Sequence, residues 1–462
     1  GEYRDTATTC SDCGAALSEE APAPGPAPAR RSEVRPSDAN QRLVVTLAAG
    51  VALWVLAHAR LFGAEASIFE PDGGSAPSLL MLAAGMTPFM TAFIFVEVLA
   101  LLAPPLRPLR VGGAAQRRII DGLAWTLGSL LLILQLLALV GSARETTPLP
   151  PPLLLWTQFG LAHVLMLGLA VATTRFGLGN GFALLFAVPL LDALLAEGGA
   201  LLEEVQTERL SAAVALTLLL LTVAASALSV RLTRGARGSG GPLPSAAPFP
   251  ISGTIAWAWA GAAVGLPATL AVWWPEAGLV SGAFQRSQWL YAGVFAFLAF
   301  DLALAFGFLF FRPGAVGQLW VQWVPGVDAT GVVVKARALL PAALAASVGL
   351  TVGAPFALFA AASMVESAGI SAVIELLIVG CLLGDLLDEW SALRRLGPLS
   401  HVHDVQRAAE VEPITHLLRT AGIECHARSF LVRATQQFFA PWLPIGILVP
   451  KAPAAAARAL LE

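Results

Sequence analysis

Ten runs of about twenty apolar residues, nearly free of charge, dominate this sequence. They cover about 43–62, 79–103, 120–141, 152–172, 180–199, 209–231, 251–273, 289–311, 338–362 and 370–390. A helix needs roughly 20 such residues to cross the hydrocarbon core of a bilayer. Proline and glycine inside some runs are tolerated where neighbouring helices satisfy the freed backbone groups. The pattern predicts an α-helical polytopic membrane protein with ten transmembrane helices. Only 13% of the residues are charged, against about 25% in an average soluble domain. The net charge of −3 carries no nucleic-acid signal.

Arginine and lysine near the ends of spans set the orientation. With the N-terminus inside, seventeen fall on the inner side: Arg30, Arg31, Arg35, Arg42, Arg107, Arg110, Arg117, Arg118, Arg175, Arg231, Arg234, Arg237, Arg312, Lys335, Arg337, Arg394 and Arg395. Four fall outside: Arg60, Arg144, Arg209 and Arg286. Glu197, Glu203, Glu204 and Glu208 also group on the outer side. Both termini are therefore expected in the cytosol.

Between the fourth and fifth runs the chain reads "RFGLGNGFALLF", from Arg175 to Phe186. A glycine-rich loop before a helix can cradle a phosphate, but that use calls for a preceding strand and a following Lys-Ser/Thr. Neither is present, so the glycines read as a tight inner turn. Glu97, His163, Asp192, Asp301 and Glu375 lie within apolar runs, where a charge needs a cavity or a partner. His163 and Asp301 are candidates for a proton relay or for a structural pair.

The ends differ from the middle. Residues 1–41 are polar, carry no signal-peptide pattern, and include a Pro/Ala-rich tether from Ala21 to Ala29. Cys10 and Cys13 form a C-x-x-C resembling half a zinc ribbon. Tetrahedral zinc needs four ligands, so the others would come from Cys425 and His426, from His401 and His403, or from a second copy. No other cofactor is expected. No nucleophile–base pair or metal-spaced acid set is present, so no catalytic site is read. Residues 400–462 read as strand, helix, strand, strand, helix: "HVHDVQ", "EVEPITHLLRTAGI", "ECHARSFLVRA", "IGILVP" and "APAAAARALLE". The βαββα order suggests a small α+β domain. It resembles a small bacterial domain of signal-transducing proteins, which implies sensing or partner binding.

Several stretches of residues 42–396, taken in order, resemble SecY, the channel subunit of the protein-export translocon. They are "RLVVTLAAGVALWVLAHARLFG", "IFEPDGG" with "SAPSLLMLAAGMTPFM", "GGAAQRRIIDGLAWTLGSLLLILQ", "GLGNG", "ISGTIAWAWAGAAVGLPATLA", "VPGV" and "LLIVGCLLGDLL". The last places Asp385 in the family's acidic position. The resemblance implies two inverted five-helix halves around a pore. The second and seventh runs give faint internal support, since each opens on small residues and a glycine (Gly85, Gly253) before an aromatic.

Carried over by position, the resemblance implies a pore ring of Met86, Met90, Phe182, Phe186, Ala258 and Ile378. It also implies a plug at Ile68, Phe69, Glu70, Gly73 and Gly74. Methionine and phenylalanine at this spacing are also ordinary helix-packing residues. Arg117, Arg118, Arg234, Arg237 and Asp328 fall where the family meets cytosolic partners. Asp328 reverses the family's usual arginine, and the loop of about 231–250 is short, so docking of a motor ATPase or ribosome is not expected. The implied partners are membrane lipid, a translocating polypeptide and a one-span translocon subunit, in the cytoplasmic membrane of a prokaryote. The rival readings are a degenerate membrane scaffold or sensor, and an ion-coupled small-solute transporter using Asp301 and Glu375.

Overall fold

Leu153, Leu161, Val164 and Val171 stand exposed on one face of a helix whose opposite face buries Leu155, Phe159, Ala162, Met166 and Ala170. An apolar surface on both sides suits a helix with lipid on one side and protein on the other. The computed structural model describes residues 37–62, 81–82, 85–106, 109, 114–144, 150–235, 254–270, 274–364, 373–436 and 443–461.

The helices are α1 (Ser37–Ala57), α2 (Thr87–Leu102), α3 (Ala114–Arg144), α4 (Pro152–Phe176), α5 (Gly181–Gln206), α6 (Ala212–Gly235) and α7 (Ile255–Leu270). There follow α8 (Ala277–Arg286), α9 (Gln288–Phe310), α10 (Pro313–Trp323) and α11 (Ala329–Val348). A π-helical turn at Gly349–Gly353 leads into α12 (Ala354–Met364), and α13 (Val373–Leu396) ends the series. Each of the ten apolar runs overlaps a helix among the described residues, and 338–362 spans the end of α11, the π-helical turn and α12. By length and hydropathy alone, however, seven stretches among the described residues suffice to cross a membrane, fewer than the ten expected. Within α2 and α7 the apolar stretches, Thr87–Ala100 and Ile255–Pro267, are shorter. α13 is long enough, but it carries Glu375, Asp385, Asp388, Glu389, Arg394 and Arg395.

The packing has an internal repeat. α1 packs on α4 and α5, α2 on α3, and α4 on α5; in the same way α6 packs on α12 and α13, α7 on α9, and α12 on α13. In lipid, apolar burial does not drive helices together, so close contact depends on small residues. α7 presents Ala256 and Ala260 to Ala299 and Ala303 of α9, all four fully buried. Gly128 of α3 lies under the Phe89 ring of α2, where a β-carbon would collide with it. On α6 the buried hydroxyls of Thr222, Ser226, Ser229 and Thr233 donate to carbonyls one turn back, which removes their polar cost.

The C-terminal part runs β1 (Leu399–Val405), α14 (Ala408–Thr420), β2 (His426–Arg428), α15 (Phe430–Thr435), β3 (Ile445–Pro450) and α16 (Ala454–Leu461). The sheet is antiparallel with order β1-β3-β2. β3 is central, with Ile445, Ile447, Leu448 and Val449 buried. Its observed order is βαβαβα, which corrects the expected βαββα: "ECHARSFLVRA" is a three-residue strand followed by a helix. Ser429 takes a left-handed backbone (φ 61) between them. The helix forms because a carboxylate from α13 caps its first turn, a contact invisible to local pattern.

One end of the helical bundle carries this sheet. The start of α1, the α4–α5 turn, the end of α6, the start of α7, α10 and the end of α13 all meet the C-terminal residues there. A single apolar cluster runs from Phe89 and Phe186 among the helices to Leu431 and Ile447 beyond them, across the expected boundary near residue 396.

Candidate functional site

Four residues expected in the pore ring come together in that cluster. Met86 and Phe186 are buried in it, and Met90 and Phe182 pack against it with Phe93, Leu185, Leu377 and Cys381. Met86 directly precedes α2, after Gly85 in a left-handed turn (φ 50). Phe182 and Phe186 lie one turn apart at the start of α5. Ile378 is buried on α13 beside Leu377, whereas Ala258 is exposed on α7 and stands apart. The side chains that meet there from α2, α5 and α13 are apolar.

The glycine-rich turn holds helices together. Leu178 N–H donates to Thr46 Oγ1 of α1 at 2.7 Å, and Gly179 N–H to Glu389 Oε2 of α13 at 2.8 Å. Gly181 N–H donates to Thr174 Oγ1 at 2.8 Å, and Phe182 N–H to the Asn180 cap at 2.8 Å. Gly179 has φ 68, which favours glycine. At Gly181 a β-carbon would run into the Ala170 carbonyl of α4. The turn therefore sets how Phe182 and Phe186 enter the cluster, and its amides leave none of these donors for a phosphate.

A polar junction binds the C-terminal elements to the same turn. Arg428 donates through Nε to Glu389 Oε2 at 2.9 Å and pairs through Nη2 with Oε1, while Nη1 donates to the Thr174 carbonyl at 3.2 Å. The Glu389 side chain is 0% exposed. Asp385 accepts from the backbone N–H of Leu431 (3.0 Å) and Val432 (2.9 Å), capping α15. Thr254 N–H, just ahead of α7, donates to the Thr435 carbonyl at 2.9 Å. Sequence reading placed Asp385 but missed Glu389 and Arg428. The available signal was the unusual acid density of α13.

The remaining expected residues separate. Asp328 caps α11, accepting from Thr330 N–H (2.9 Å) and Gly331 N–H (2.8 Å), which gives its acidic identity a local reason. Arg234 pairs with Asp388 at 3.1 Å, and Arg118 is exposed. His163 is buried with Nδ1 2.8 Å from the Phe159 carbonyl, and Asp301 is exposed on α9. Asp192 accepts from Trp54 Nε1 at 2.8 Å and joins α5 to α1. The plug residues 68–74, Arg237, Cys10, Cys13 and the Arg117 side chain lie outside the described residues. Among the described residues, no group of three acids, histidines or cysteines is placed to hold a metal.

In the C-terminal elements, burial pushes the His403 imidazole below its ordinary range, against Asp404 and Glu410, which raise it. Its ring lies edge-on to Trp323 of α10 at 5.5 Å. Burial also pushes the Cys425 thiol up.

The family model described as SecY matches residues 79–319. Among solved structures, the chain is similar to one described as "The structure of a protein conducting channel", at 14% identity, covering 76% of this chain and 93% of that one, with a TM-score of 0.48. A second is described as "The plug domain of the SecY protein stablizes the closed state of the translocation channel and maintains a membrane seal", at 16% identity, the same coverages and a TM-score of 0.49. A third, "Sec61 in the Canine ribosome-channel complex from the endoplasmic reticulum", matches at 15% identity over 76% and 93% of the two chains, with a TM-score of 0.46. Among curated proteins no relative matches.

Proposed function

The chain belongs to the SecY family, and we propose that this multi-pass membrane protein conducts polypeptides across or into the membrane through a pore closed by Met86, Met90, Phe182, Phe186 and Ile378. The observation that supports the reading is the meeting of apolar side chains from α2, α5 and α13 in one packed cluster. An apolar constriction excludes water and ions by dewetting. Flexible methionine side chains can re-form around varied cargo.

Ten crossings in two inverted halves, both ends cytosolic, make up the proposed architecture. Supporting it are the repeated packing pairs and the convergence of the α1 start, the α4–α5 turn, the α6 end, α10 and the α13 end on one sheet. In a ten-crossing chain these points are separated by even numbers of crossings. The arginine count supports a cytosolic side for that end. Residues 399–461 then act as a built-in regulatory or adaptor element on the cytosolic face. A one-span partner subunit clamping the two halves belongs to the same proposal.

The test is crosslinking of a stalled secretory chain to a photoreactive residue at Met86 or Phe186. Crosslinks at these positions, and none from lipid-facing Leu161, are expected. Their absence along the whole cluster overturns the proposal. A second reading, a membrane scaffold acting through residues 399–461, is favoured by the closed cluster and by the burial of Arg428 against the bundle. It predicts partner capture through the C-terminal elements that survives a Phe186→Asp exchange.

A further inference from the structure

Two adjoining hollows lie between the start of α1, the α4–α5 turn and the C-terminal sheet, with cavity volumes of about 500 and 380 Å³. They share Arg42 and Arg175. Lys451, just beyond β3, lines the first and Arg428 the second. We propose that this cleft binds a phosphate-bearing ligand through Arg42, Arg175 and Lys451.

The charges are arranged for an anion from outside the chain. Arg428 is already held by Glu389 and Thr174. Arg42, Arg175 and Lys451 form no ion pair among the described residues. Arg42 donates to the Gly177 carbonyl at 3.4 Å, and Arg175 lies over the Phe176 ring at 5.3 Å. The acids in the cleft are Asp38 and Asp404, and Asp404 is engaged by His401 at 2.8 Å. Three cations around one concavity, without an ion pair among the described residues, favour an added anion, and a phosphate takes paired hydrogen bonds from a guanidinium fork.

Depth narrows the source. Below the cleft α1 exposes Val44, Leu47 and Val51, and Phe176 is 58% exposed. These are lipid-facing side chains, so the cleft opens at headgroup level, where anionic lipid attracts basic residues. It also opens to solvent, so a soluble phosphorylated compound has access. The ligand would touch the bundle through Arg42 and Arg175 and the sheet through Lys451, bridging both. The hollows border the glycine-rich turn through Arg175, Phe176 and Asn180, but the ligand would be held by side chains rather than by the turn's amides, and the site does not depend on polypeptide conduction.

The experiment uses the purified full-length chain in neutral detergent. Two probes are titrated separately: dioleoylphosphatidylglycerol doped into the micelles, read by native mass spectrometry, and inorganic pyrophosphate, read by calorimetry. Wild type is compared with Arg42→Gln, Arg175→Gln, Lys451→Gln and their triple combination, with Arg337→Gln on α11 as a control for general charge. Elution volume and circular dichroism verify folding. Saturable binding that weakens tenfold or more in the triple variant, and less than twofold in the control, is expected. Retention of the lipid alone assigns a headgroup site, and retention of pyrophosphate alone assigns a soluble ligand. Binding of neither probe overturns the proposal, as does equal binding by wild type and triple variant, or an equal loss in Arg337→Gln.

Discussion

Replacing Glu389 with alanine removes the carboxylate through which α13, the α4–α5 turn and the C-terminal sheet meet. It is fully buried, pairs twice with Arg428 and accepts from Gly179 N–H at 2.8 Å. Breaking one side of a buried ion pair costs about 3–5 kcal/mol, because the other charge stays buried alone. The stranded Gly179 amide adds about 1–3 kcal/mol. The terms overlap, since Arg428 can swing toward water once released, so a net loss of about 4 kcal/mol is expected. At 1.36 kcal/mol per tenfold, that shifts the docking equilibrium of the C-terminal elements roughly a thousandfold. Hydrogen–deuterium exchange on the purified chain reads it directly: segments 426–435 and 177–182 should lose protection together, while α9 keeps its own. Arg428→Ala should behave similarly. The double variant should cost less than the sum of the singles by about 0.5–3 kcal/mol, the coupling expected of residues in contact. Strictly additive effects, or protection within twofold of wild type in Glu389→Ala, would refute the reasoning.

Gly181→Ala should sharply lower the accumulation of folded protein, because the new methyl would press into the Ala170 carbonyl, which cannot yield without moving α4; membrane-fraction yield checks it, with Gly122→Ala, which meets nothing, as control. His403 binds its proton less readily when docked than when free, so its contribution is complete above the ordinary value of 6.5 and is lost as pH falls through that value toward the lower folded one. Exchange protection of β1 should therefore fall as pH drops below 6.5. Asp404 and Glu410 moderate the loss and His401 deepens it, and His403→Phe should flatten the profile.

The run lengths and arginine bias alone carry the membrane class, the positions of the long apolar helices and the end at which the basic loops gather, because bilayer thickness and charge exclusion act on local composition. The turn at "GLGNG" was legible too, since glycines mark it whatever they touch. Its partners were not: Thr46, Thr174 and Glu389 lie far apart in sequence, and only the packed bundle brings them to its amides. In the same way, "SFLVRA" reads as a strand by its branched and aromatic residues, yet it becomes helix because Asp385 caps it from 46 and 47 positions away. Ala258 matched by position but stands exposed, because which side of α7 faces the cluster is settled by the Ala256–Ala260 contact with α9. The sequence by itself determined which segments could enter the membrane. Tertiary structure alone decided which buried charges pair, and so how the C-terminal sheet is fastened to the turn that aims Phe182 and Phe186, because charge pairing depends on distance through space rather than along the chain.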